Sequence, residues 1–194
     1  IFISLGVILA GAFVLNPLLI VLLKFVSDFA TMSVSVDRVS PSPGPDRWQV
    51  IPLTTTGAGL AALLLLLNAV VYWAATNLLQ LTVPQAQTVM FAWLAIGAGQ
   101  AVLYVTRGRG FVWTRPYPSR WVVIATLLVI AVVSLMASRG WLMAPVPPSL
   151  IGALLLLALA FVVAGDLIKV ALTRDGAVLR GGPQAARRRH SSRP

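Results

Sequence analysis

The 194-residue chain has no cysteine and no glutamate. Its one histidine, His190, stands in a basic tail, and its two lysines are Lys24 and Lys169. Without a thiol there is no disulfide and no thiolate metal site. A zinc centre, a Cys or Ser/His nucleophile pair and a paired-glutamate acid–base site are all excluded within this chain. Neither lysine lies in a GxxxxGK[ST] string, so there is no phosphate-binding loop of that kind. Charge itself is scarce, at 10% of residues, against about 25% in a soluble domain. That excludes an ordinary soluble globular fold. The acidic set is five aspartates: Asp28, Asp37, Asp46, Asp166 and Asp175. The first methionine is Met32, and no basic segment precedes the opening apolar run. A cleaved signal peptide is therefore a poor reading. A longer polypeptide, of which this is a fragment, is the expectation.

What is present is apolar: 58% hydrophobic residues and a mean hydropathy of +0.90. Long apolar runs rule out disorder and define an all-α integral membrane protein, a polytopic helical bundle. With about 20 apolar residues per crossing, spans are expected near 1–14, 18–36, 53–75, 89–106, 121–138 and 150–172. Together they make a transmembrane domain over 1–172, followed by a basic, disordered tail over 173–194. Asn16-Pro17 and the prolines of 41–45 and 145–148 mark turns. The polar stretch 76–88 divides a charge-free run from 48 to 106.

The lysines and arginines test this arrangement. Thirteen of them fall in 37–50, 107–120 and the C-terminal part from Lys169 onward, all on one side of the expected bilayer. The other side has Arg139, and Lys24 is intramembrane. By the positive-inside rule the loops 37–50 and 107–120 and the C-terminus are cytoplasmic. Topology thus accounts for the net charge of +10, and no nucleic-acid partner is expected. The lipid bilayer is the expected partner, and the arginine-rich tail suits anionic headgroups.

The second expected span carries the chemistry. Charged groups at mid-membrane cost about 2.5–3.5 kcal/mol on insertion scales and mark pathways. At 100° per residue, Lys24, Ser27, Asp28, Thr31 and Ser35 share one helix face. Such a stripe is expected to face a bundle interior or a hydrated path. In one reading Lys24 and Asp28 form an i,i+4 ion pair that serves packing. In the other, Asp28 binds a proton or cation. Burial disfavours a carboxylate's charged form and a nearby cation favours it, so a conformational change altering either would load and release a proton. Asn68, Gln100 and Tyr104 read as interhelical hydrogen-bond partners. Asp166 and Lys169 read as an interfacial pair.

Three segments carry a resemblance. Residues 27–48, from Ser27-Asp28 through Met32, Val34, Asp37 and Val39 to Pro45-Asp46-Arg47-Trp48, are similar to the sixth membrane helix of P-type ATPases and the loop after it. The pattern there is N-D-x-x-x-M-x-[IV]-x-x-D-x-V, then a proline-rich stretch ending P-[DE]-x-W. Residues 100–109 with Arg115-Pro116 resemble the end of the eighth helix, S-Q-A-x-x-F-V-T-R-x-R and then R-P. Residues 166–172 resemble the D-x-x-K-[FV]-x-[IL] end of the tenth. The resemblance is closest to the plasma-membrane proton-pump branch. It implies the end of helix five plus helices six to ten of such a pump, in the plasma (cell inner) membrane. It gives Asp28 the role of proton-binding carboxylate, with Ser27 and Thr31 beside it. The family's neighbouring Asn is Ser27 here, and its helix-five Arg has no counterpart in 1–25; Lys24 is a candidate counter-charge.

The resemblance also implies partners. Helices one to four and the actuator, nucleotide-binding and phosphorylation domains would complete the pump, with ATP and Mg2+ as its cofactors. None of these has a site here: D-K-T-G-T is absent, and phosphoryl transfer needs a positioned nucleotide, metal and acceptor. No catalytic residue and no metal ligand are expected in this chain. The alternatives are a P-type pump for another cation (Mg2+, Ca2+ or K+) and a non-catalytic, stand-alone membrane protein or remnant.

Overall fold

A computed structural model describes residues 13–35, 50–106 and 118–178. Within these residues every regular element is helical. Of the expected span 1–14 the described part is its last two residues. The loops 37–49 and 107–117 and the tail from 179 lie outside the described residues.

Helix α1 (Pro17–Val34) begins where the sequence places a stop and a start together. Asn16 is its N-cap, and the Asn16 side-chain oxygen accepts from the Leu19 N–H at 2.8 Å. Proline in the first turn costs nothing, because that turn's N–H groups have no intrahelical acceptor. Helix α2 (Val50–Trp73) continues into a π-helical turn, Ala74–Leu78. There the Thr76 hydroxyl donates to the Tyr72 carbonyl at 3.0 Å, and the Asn77 amide donates to the Trp73 carbonyl at 3.2 Å.

Helix α3 (Val83–Trp93) starts six residues before the expected span at 89. The polar stretch is shorter as a loop than composition suggests, because its residues cap helices. The Gln85 side-chain oxygen accepts from both the main-chain N–H and the hydroxyl of Thr82, at 3.2 and 3.0 Å. Satisfying these donors in place of water lets the helix begin early. From α3 the chain passes through a π-helical segment, Leu94–Ala101, into a short helix α4 (Val102–Thr106).

Helix α5 (Arg120–Arg139) is capped by Ser119 and ends on Gly140 at φ +73°, a left-handed position that suits glycine. Helix α6 (Pro148–Val178) runs past the expected end at 172, so residues 173–178, read from sequence as tail, are helical. The helix continues because nothing in that stretch breaks it: its one glycine precedes Ala177-Val178 and no proline follows until Pro183.

Three helices among the described residues are long and apolar enough to cross a bilayer: Gly57–Leu78, Arg120–Arg139 and Pro148–Ile168. Helix α3 with its π segment is the centre of the bundle. Thr88 through Trp93 are all buried, and α1, α2, α5 and α6 all pack against it. Leu66, Val70, Leu127, Leu128, Leu156 and Leu159 point outward on the surrounding helices. Outward leucines are what a lipid-facing surface requires, since hydrocarbon offers no penalty for them. Burial by itself supplies little driving force in such a solvent, and close packing and interhelical hydrogen bonds carry the association.

One end of the bundle is fixed by two long-range contacts. Gln87 donates to the Phe13 carbonyl at 2.8 Å, and Gln85 reaches the Pro145 carbonyl at 3.5 Å. The starts of α1 and α3 and the α5–α6 loop therefore gather there. The opposite end receives the end of α1, the end of α4 and the start of α5.

Candidate functional site

Helix α1 presents two faces. Leu19 and Ala30 are buried and Leu22, Leu23 and Val26 are half-buried against the core. The opposite face carries Lys24, Asp28, Thr31 and Ser35, all exposed, flanked by exposed Phe25, Phe29 and Met32. The stripe does not point into the described bundle. A bundle interior or a hydrated path was expected beside this stripe; α3, α5 and the π segment pack against α1 from its apolar side.

Lys24 Nζ donates to Asp28 Oδ1 at 2.5 Å, an i,i+4 ion pair whose side chains are 73% and 51% exposed. The spacing dictates this: four residues advance a helix by slightly more than one turn, which sets the two side chains one above the other. Thr31 Oγ1 donates to the Ser27 carbonyl at 2.9 Å. Ser33 Oγ donates to the Ala30 carbonyl at 2.7 Å. Of the four sequence-selected residues, the structure joins Lys24 to Asp28 by side chains and Thr31 to Ser27 through the main chain. Among the described residues, the carboxylate of Asp28 takes its hydrogen bond from its own helix.

The chemistry available here is limited and specific. A carboxylate in a low-dielectric slab exchanges partners at large energetic consequence. Lys24 occupies one oxygen and leaves the other open on the exposed face. The same face carries the Thr31 hydroxyl, whose oxygen retains acceptor capacity while its hydrogen is used on the main chain. No group of three or more His, Cys, Asp or Glu side chains exists among the described residues.

The remaining polar groups tie helices together. Trp93 Nε1 donates to Asn68 Oδ1 at 2.6 Å, both side chains buried, joining α3 to α2. Tyr104 and Gln100 both engage Thr126 of α5. The sequence marked Asn68, Gln100 and Tyr104 but missed Trp93 and Thr126 as their partners. Trp93 had a signal, an indole N–H that must find an acceptor inside an apolar run. Asp166 is fully buried, beside the close approach of Gly165 to Val105 and Leu60. The side chain of Lys169, its expected partner, lies outside the described residues.

Fold and composition thus define an all-α membrane helical bundle with a charged pair on one helix. No protein-family model matches the chain. A protein of Methanocaldococcus jannaschii named as a cation-transporting ATPase is 29% identical over 178 residues, covering 89% of this chain. Those residues make up 21% of that protein. The chain therefore spans about a fifth of the length of this curated relative.

Proposed function

We propose that this chain is the ion-binding and supporting part of the membrane domain of an ATP-driven cation pump of the P-type class. The carrying observation is the Lys24–Asp28 pair on an exposed helix face flanked by Phe25, Phe29 and Met32, in a chain similar over most of its length to a cation-transporting ATPase. Asp28 binds the transported cation, and Ser27 and Thr31 shape the site. The open face of α1 packs against further membrane helices of the pump. ATP and Mg2+ act in the actuator, nucleotide-binding and phosphorylation domains that belong to the rest of the pump.

The proton is the cation this arrangement suits best. A divalent ion takes six to eight oxygen ligands, several of them carboxylate, whereas the face has one carboxylate already paired with an ammonium. Lys24 acts as a built-in counter-charge: it stabilises ionised Asp28 after release and yields when the proton binds. The bundle stands in the plasma membrane, with 37–50, 107–120 and the C-terminus on the cytoplasmic side.

The test is transport by the native protein in sealed vesicles. Asp28→Asn keeps the shape of the side chain and removes its ionisation. Transport is expected to fall at least tenfold with expression unchanged. Lys24→Met is expected to keep transport but move its pH dependence. Full transport by Asp28→Asn refutes the binding role. An unaltered pH profile in Lys24→Met refutes the counter-charge role alone.

A further inference from the structure

A second polar cluster lies inside the bundle, between the π-helical segment and α5. Tyr104 Oη donates to Thr126 Oγ1 at 3.2 Å, and Thr126 Oγ1 donates to Gln100 Oε1 at 3.0 Å. The chain of donors has one direction, and each bond in it polarises the next. It ends on the Gln100 amide. Gln100 is 3% exposed, and its Nε2 has no hydrogen-bond partner among the described residues. Rotating the amide by 180° does not cure this. Nε2 would then donate to Thr126, and Oε1 would take the open position. Either way one amide atom of Gln100 faces an unfilled hydrogen-bonding direction, in surroundings where that is costly.

Gln100 sits in the Leu94–Ala101 segment, where main-chain pairing runs i→i+5. The wider turn redirects carbonyls, and Ala98, Gly99 and Ala101, beside Gln100 in the chain, have small side chains or none. A methyl group on Gly99 would find the Leu94 carbonyl oxygen at 3.4 Å and no closer neighbour. Such turns in membrane helices are places where ordered water satisfies redirected main-chain groups.

We infer that Gln100 holds a single internal water between the π segment and α5, donating to it from Nε2 while the water donates to a main-chain carbonyl of the π segment. Water meets the need because it accepts one bond and donates two, and a buried water is stable with two to four polar partners. In the orientation described the open atom is an N–H, which donates to water and does not coordinate a metal cation. The water extends the Tyr104–Thr126–Gln100 chain by one member and ties its end to the main chain of the π segment. The inference rests on this cluster and is independent of the pump reading.

The experiment is a density map of the native protein in lipid nanodiscs, at a resolution that shows ordered waters. One peak is expected about 2.7–3.2 Å from the Gln100 amide nitrogen, with at least one further polar neighbour. In Gln100→Met, which keeps the side-chain length, the peak is expected to vanish while α3 and α5 hold their positions. Three results overturn the inference: a Gln100 amide donating directly to a protein carbonyl with no peak beside it, a peak ringed by five or more oxygens as a metal ion would be, or a peak that persists in Gln100→Met. If Gln100→Met fails to fold, the wild-type map decides alone.

Discussion

Gly97 shows how little room the central helix leaves. A methyl group there would lie 2.5–2.8 Å from three atoms of the Trp93 ring. The ring cannot move aside, because it is fully buried and its N–H is committed to Asn68. Gly57 and Gly152 look alike in sequence, yet a methyl group at either meets nothing within 4 Å. Gly97→Ala is expected to destabilise the native protein by about 1–3 kcal/mol, the usual result of overpacking. Gly152→Ala is expected to be neutral or slightly stabilising, since alanine is the better helix former by about 1 kcal/mol. Melting temperatures in one detergent separate the two. Glycine pairs such as 57/59 and 97/99 allow neighbouring membrane helices to approach. At Gly97 the group that needs the space is a tryptophan one turn earlier on the same chain. Residue spacing foretold the Lys24–Asp28 pair because it is local, four positions apart on one helix. It could not foretell which way the pair points, because that depends on which helices gather around α1.

At the scale of elements, the bond between Trp93 and Asn68 is the clearest tie between α2 and α3. A double-mutant cycle of Asn68→Leu and Trp93→Phe is expected to give a coupling of about 0.6–1.7 kcal/mol, as membrane hydrogen bonds do. A coupling near zero would show that packing alone holds the two helices. The helices themselves were legible where apolar runs met strong punctuation, as at Asn16-Pro17 and Gly140. They were less legible where polar residues serve as caps. Thr82 and Gln85 form a helix-start signature, but amid Asn77, Gln80, Gln87 and Thr88 their polarity reads as loop. The π segments had no sequence signal. A switch from i+4 to i+5 pairing leaves composition unchanged.

For the whole molecule, the contacts of Gln85 and Gln87 place the start of α3, the start of α1 and the α5–α6 loop at one end. The end of α1, the end of α4 and the start of α5 lie at the other. The absence of cysteine from the chain makes orientation simple to measure. Ser42→Cys is expected to be protected from a membrane-impermeant maleimide added outside intact cells, and Trp141→Cys to be labelled. The reverse pattern would overturn the proposed sidedness.

The Asn68–Trp93 bond also has a consequence in time. Its partners are 25 residues apart in the chain, and α2 is made before α3. At synthesis rates of about 5–20 residues per second, Asn68 waits about one to five seconds before its acceptor is claimed. During that interval a nascent α2 carries an unmet amide into the bilayer and gains nothing from being released into lipid early. The central helix is therefore the one that lets α2 settle, and a ribosome paused between Asn68 and Trp93 would leave α2 with that amide unmet.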